Sequence, residues 1–301
     1  SAQAMTRILA FPALSLLLAA WGLPAPEVHA RMQQQSYTFE ASAGDERSLE
    51  ASLDIGLGSV RLRAMNDRAF IFRAEGVLRD EALRPSFEYD ADGAHGEVVL
   101  DVDTGEGVSL GGLRGAEENR WALFVSDDVT LDLDLALGVG EADLDLTGLR
   151  VERFEVATGM ARTRVLFDRP NAVPMKMLSV EAGMAPVELL GLGNARFERL
   201  EFEGGMGSFR LDFSGDAFLA GARADIEVGM AKLHLVLPDN KPVVLVAPDS
   251  WVSRVRIPNG YIKHDEGVWH SPSVRDPSDA LRIEVEAGMG SIECVLASDA
   301  R

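Results

Sequence analysis

The sequence predicts an all-β protein: a single-stranded parallel β-solenoid (β-helix) with coils of about 21–24 residues and a β-rich N-terminal cap. Three observations carry this expectation. A short pattern of glycine, a large apolar residue, glycine or alanine, then alternating apolar positions is written seven times, beginning at Gly56, Gly138, Gly159, Gly183, Gly205, Gly229 and Gly288. From Gly138 to Gly229 the copies follow at steps of 21, 24, 22 and 24 residues, the length of a solenoid coil rather than of a helical repeat. Beyond residue 30 no stretch sustains a 3.6-residue period, whereas strict alternation, as in VTLDLDLAL and FERLEFEGG, is common.

Residues 1–30 stand apart. Met5, Thr6 and Arg7 open the apolar run ILAFPALSLLLAAWGL, which closes with APEVHA, small residues suited to cleavage after Ala30. The run is too short and too interrupted by proline for a spanning helix. The segment reads as a cleaved secretory signal peptide, so the expected location is periplasmic or extracellular, with no transmembrane segment left after cleavage.

Residues 31–129 form the expected N-terminal cap. SLEASLDIGLGSVRLRA, AFIFRAEG, SFEYDADG and GEVVLDVD read as strands separated by Asp-Gly and glycine-rich turns. A cap is needed because an open terminal coil would leave unpaired edges; an imperfect one would let copies pair into oligomers. Residues 130–237 carry the regular coils. Within each, the parity of the apolar positions changes at the glycine: Leu200, Phe202 and Met206 share one parity, Phe209, Leu211 and Phe213 the other. Side chains alternate faces along a strand, so the chain must bend near Gly207 and Ser208. The same parity predicts that Met160, Met184, Met206 and Met230 form an internal ladder, their flexible thioethers filling gaps at the bend. Residues 238–280 break the rhythm in an irregular loop rich in Pro, Asp and Ser, and residues 281–301, with Gly288 and Met289, resume it as a final coil.

The composition excludes several classes. The formal net charge is −19, with no basic patch, so neither nucleic acid nor an anionic membrane is an expected partner. Cys294 is the only cysteine, so packing and not disulfides must hold the fold together. Its alternating position in GSIECVL points inward.

The segment RWALFVSDDVTLDLDLALGVGEADLDLTGLRVERFEVATGMA, followed by the glycine-methionine coils, resembles the bacterial toast-rack domain, related to putative adhesin domains and to the C-terminal domain of cell-wall-active antibiotic response proteins. The resemblance covers nearly the whole chain after residue 30. It implies a non-enzymatic envelope module for sensing, adhesion or assembly, and no cofactor.

The sequence offers few chemical constellations. KHDEGVWH places His264, Asp265, Glu266 and His270 close together as candidate metal ligands, at a spacing that matches no zinc motif. Trp251, Tyr261 and Trp269 are candidate stacking contacts for a sugar or partner, or else a plug for the solenoid end. GVSLG at Gly107–Gly111 has the letters of a hydrolase elbow but lacks its strand–turn–helix context. Asp132, Asp134, Asp143 and Asp145 lie on outward faces that would attract a cation, although no calcium nonapeptide is present. The expected function is binding, adhesion or scaffolding/sensing in the cell envelope, with an envelope protein or cell-wall glycan as partner. The alternative is a carbohydrate-active β-helix enzyme, a polysaccharide lyase or hydrolase, which would need paired carboxylates along one cleft.

Overall fold

Each repeat lays down one long strand, bent in its middle, and each such strand pairs in parallel with the next. The computed structural model describes residues 35–79, 83–103, 118–247 and 253–300. Residues 1–30, where a signal peptide is expected, Trp251 and Gly107–Gly111 lie outside them. The full-length rungs are β2 (Ser48–Met65), β7 (Thr130–Asp145), β8 (Arg150–Leu166), β11 (Phe197–Asp212), β12 (Arg223–Leu237) and β17 (Leu281–Leu296). Between β8 and β11 one rung is split into β9 (Met175–Ala182) and β10 (Val187–Leu190), followed by the four-residue helix α1 (Leu192–Ala195). The fold is a β-solenoid.

The parallel register runs β2–β7–β8–β9/β10–β11–β12–β17. At both ends spatial order departs from chain order. Beyond β2, β5 (His95–Asp103) pairs with its first half and β6 (Arg120–Ser126) with its second. Antiparallel strands close that end: β4 (Arg84–Asp92) on β5, β3 (Phe70–Leu78) on β6, and β1 (Gln35–Ser42) on β3. Beyond β17, β13 (Val243–Val246) and β14 (Ser253–Arg256) form a second split rung. There β16 (Val268–His270) pairs antiparallel with β13, and β15 (Ile262–Asp265) with β16. Thus β2, within the expected cap, is already a complete rung. The 238–280 stretch supplies the rung that lies beyond the final coil. Parallel ladders end at both poles in antiparallel hairpins, which limits the edge open to another chain.

The core is a continuous file of inward side chains. In β11, Leu200 and Phe202 before the bend and Phe209 and Leu211 after it are fully buried. Phe202 and Phe209 meet edge to face across the bend with ring centroids 5.1 Å apart. Burial of such a side chain is worth about 1.5–3 kcal/mol, and the repeat multiplies it rung by rung. The N-terminal pole is closed by rings: Phe39 stacks on Phe87 at 5.2 Å and on Trp121 at 6.2 Å. Polar stitches join rungs where the chain turns. Buried Asn171 accepts from the Val151 amide at 3.0 Å and donates to the Ala195 carbonyl at 3.3 Å. Its amide thereby satisfies backbone groups that the turns would orphan.

The parity switch at the glycine is present, but the methionines lie on the other side of it from the expected one. Met160, Met184, Met206 and Met230 are 44%, 52%, 42% and 50% exposed, and Met289 is 52% exposed, so the ladder is external. The reason is room. A Cβ on Gly204, the last inward position before the bend, would lie 2.4 Å from the Phe209 ring, so the inside of the corner is already full. The inward alternation ends there, and Gly205 and Met206 are both exposed.

Candidate functional site

The bend repeats at the same height in every rung, so residues that occupy one position of the repeat become files running along the solenoid. The glycine file is Gly56, Gly138, Gly159, Gly183, Gly205, Gly229 and Gly288. A Cβ at Gly229 would stand 2.8 Å from the carbonyl oxygen of Gly205, and one at Gly205 would stand 2.5 Å from that of Gly183. Only glycine lets the corners stack at strand spacing, which explains why the repeat cannot omit it. Two residues on, Gly140 adopts φ 145°, and a Cβ there would overlap the Gly58 carbonyl oxygen at 1.7 Å.

One residue after each glycine stands an apolar side chain: Leu57, Val139, Met160, Met184, Met206, Met230 and Met289. Consecutive rungs hold them in register, Leu57 opposite Val139, Val139 opposite Met160, Met206 opposite Met230, and Met230 opposite Met289. Of the six large apolar residues exposed among the described residues, five are these methionines. They form a ridge, not scattered exposure.

Two residues before the glycines runs a file of carboxylates. Glu181, Glu203, Glu227 and Glu286 pair in register on consecutive rungs, and Asp54 and Asp101 occupy the position at the other end, with Ala136 and Ala157 between. Together with the glycines, Asp54, Glu181, Glu203, Glu227 and Glu286 line a groove of about 1020 Å³ along the corner. Burial pushes the Asp54 carboxyl above the usual range, with Asp101, Asp103 and Asp134 adding like-charge repulsion. Glu181, Glu203, Glu227 and Glu286 are exposed and make no ion pair among the described residues. The next acidic file differs: Glu155 pairs with Arg153 at 3.6 Å, Glu201 with Arg199 at 3.7 Å, and Glu284 with Arg282.

At the far pole, β15 and β16 bring His264 and His270 together with ring centroids 4.4 Å apart, and burial, then the neighbouring His264, lowers the His270 pKa. Among the described residues no three His, Cys, Asp or Glu side chains gather as a metal site. Trp269 is half-buried with the Lys263 ammonium 5.5 Å above its ring. Tyr261 is 9% exposed, its ring part of the core and its buried hydroxyl without a hydrogen-bond partner. Asp132 and Asp134 lie on β7 before the bend, Asp143 and Asp145 after it; Asp143 pairs with Arg164 at 3.4 Å, and Asp145 accepts from the Thr147 amide at 3.0 Å. Cys294 is buried, which pushes its thiol up to about 12.

Residues 29–171 match the family model described as the N-terminal domain of toast_rack, DUF2154. Over these residues the chain is similar to the toast-rack family. Among solved structures, a putative cell adhesion protein from Clostridium sporogenes is 16% identical, with a TM-score of 0.45, covering 88% of this chain and 100% of its own. A putative adhesin from Bacteroides fragilis is 10% identical, with a TM-score of 0.34, covering 87% of this chain and 97% of its own. A putative adhesin from Parabacteroides merdae is 9% identical, with a TM-score of 0.32, covering 88% and 97%. No curated protein matches the sequence.

One signal of the corner is open to reading in the sequence itself. The acid two residues before glycine recurs as EAGM, EGGM, EVGM and EAGM at Glu181, Glu203, Glu227 and Glu286. Aligning the copies on glycine puts these acids in one column, and parallel in-register pairing turns a column into a file.

Proposed function

We propose that this toast-rack chain is an exported, non-enzymatic module of the bacterial cell envelope that works by binding, as an adhesion or scaffolding element, with an envelope protein or cell-wall glycan as partner. The observation that supports it most is the methionine ridge: five large apolar side chains held in solvent along one edge of a continuous parallel stack. Burying such a stripe is favourable, and because neighbouring rungs fix its backbone, little ordering entropy opposes binding. Trp269 and Tyr261 belong to the pole of the solenoid in this reading, where they close the stack.

The carboxylate file gives the carbohydrate-active alternative one argument, since neighbouring rungs stand about 4.8 Å apart. Glycoside cleavage needs two carboxyl groups flanking the scissile bond. Among the described residues every acid lining the groove comes from the same position of the repeat, so these stand in one file with none of them facing another across the groove.

The test is capture from detergent-solubilised native envelope with the tagged protein. Removing residues 238–280 is a poor control, because that stretch supplies β13 and β14, the partners of β17. Point variants on the ridge are the right comparison. Specific retention of an envelope protein or glycan supports the reading; retention of nothing contradicts it, and shortened glycan chains with new reducing ends would move the enzymatic alternative ahead.

A further inference from the structure

We infer that the methionine ridge is a docking surface for a cationic amphipathic α-helix of a protein partner, seated along the glycine corner with its lysine or arginine flank against the glutamate file. This rests on the binding role proposed above and names the chemistry of the partner.

Apolarity, not sulfur, is the shared property of the ridge. Val139, half-buried on the rung before Met160, continues the file, whose five exposed members are methionine; Leu57, one rung further on, is buried. A soft-metal site would need thioethers throughout, whereas an apolar seat accepts valine and methionine alike. Methionine suits a seat that must adapt to its occupant, being unbranched and polarizable.

The form of the occupant follows from the backbone. Rungs on both sides of the corner already pair with one another, for example the Met184 amide with the Gly159 carbonyl at 2.9 Å and the Met206 amide with the Gly183 carbonyl at 2.9 Å. The ridge therefore offers no free strand edge, and an occupant must bring a satisfied backbone of its own, which a helix does. From Met160 to Met289 the ridge crosses four rung steps, about 19 Å at strand spacing. A helix of roughly 13 residues covers that length.

Charge decides which helix. Glu181, Glu203, Glu227 and Glu286 stack as like charges on consecutive rungs, an arrangement that costs stability. The adjoining acidic file has arginines against it, and among the described residues this one has none. On the other side of the ridge the corresponding residues are Glu141, Arg162, Pro186, Ser208, Lys232 and Ser291, of mixed and low charge. A helix with an apolar stripe and one basic flank complements this asymmetry, and an anionic or neutral helix does not.

The test uses a fluorescein-labelled 18-residue peptide of leucine and lysine arranged with helical period, titrated against the purified protein by anisotropy at low and high salt. A peptide with glutamate in place of lysine is the charge control. Three protein variants accompany them: Met184→Glu/Met206→Glu/Met230→Glu, Met184→Leu/Met206→Leu/Met230→Leu, and Glu181→Gln/Glu203→Gln/Glu227→Gln/Glu286→Gln. The lysine peptide is expected to bind and the glutamate peptide not to. Affinity falls at least about tenfold in the Met→Glu variant and stays within about threefold in the Met→Leu variant. The Glu→Gln variant binds more weakly and loses salt dependence. The inference is overturned if the lysine peptide does not bind, if the glutamate peptide binds equally well, or if Met→Leu abolishes binding as Met→Glu does, which would make the thioethers themselves the ligands. Envelope molecules captured equally by wild type and the Met→Glu variant would overturn the ridge while leaving the binding role standing.

Discussion

Met206 on β11 and Met230 on β12 pair in register, and both side chains stand in solvent, 42% and 50% exposed. One position further along each strand the spacing that lets them do so is visible. Gly207 and Ala231 pair on the same two rungs, and the glycines just before the methionines, Gly205 and Gly229, approach so closely that a Cβ on Gly229 would meet the Gly205 carbonyl oxygen at 2.8 Å. Tight stacking at the corner and an apolar file on its outside are thus two consequences of one repeat.

The corner predicts an asymmetry between two residues in register. Gly140→Ala places a Cβ on a backbone with φ 145° and against the Gly58 carbonyl, so destabilisation of about 3 kcal/mol or more is expected. Ala161, its partner on β8, lies outside the positive-φ set, and Ala161→Gly costs about 0.5–1 kcal/mol. Denaturant unfolding of the two variants measures the difference; equal losses would mean the corner does not stack as described.

Phe209→Ala removes a fully buried ring that meets Phe202 and fills the inside of the bend. A loss of about 3–5 kcal/mol is expected from burial and the cavity left behind. Chemical denaturation checks it.

Much of this architecture was legible before any coordinates. The step between copies gave the solenoid, and the parity change at glycine gave the bend. The methionines were misplaced because parity was extended through the bend, and alternation has no meaning at a corner whose interior, at Gly204, is occupied by the Phe209 ring. The place of β13 and β14 beyond β17 was hidden for another reason. Chain order and spatial order differ there, and no local pattern reports which neighbour a strand will choose. The glutamate file was in plain view as a column of the repeat, yet each acid alone looks like ordinary solvated surface.

Asp54 gives the stability a pH dependence of known sign. Its folded pKa is raised, by burial first and then by Asp101, Asp103 and Asp134, so its favourable contribution is complete below the unfolded carboxyl pKa and is lost as pH rises through the folded value. At neutral pH Asp54→Asn is therefore expected to stabilise, by roughly 0.5 kcal/mol for relief of like charges across rungs. The gain should vanish on acidification through the carboxylate range. Melting curves of both proteins between pH 4 and 7 test the sign; a variant less stable than wild type at pH 7 would refute it.

Cys294 should be silent. Its thiol is buried and its pKa is pushed up to about 12, so almost no thiolate is present at pH 8. Labelling of the native protein by a thiol reagent is expected to be at least about 100-fold slower than labelling in denaturant. Comparable rates would place the residue on the surface.

The most direct test of the account is oxidation footprinting of the native protein with dilute peroxide, read by mass spectrometry at each methionine. Met160, Met184, Met206, Met230 and Met289 are about half exposed, whereas Met175 is fully buried. The account predicts that the five ridge residues convert to sulfoxide together while Met175 stays protected until the fold is unfolded. Ridge methionines as slow as Met175 would put the file back inside the solenoid, and the docking surface with it would be gone.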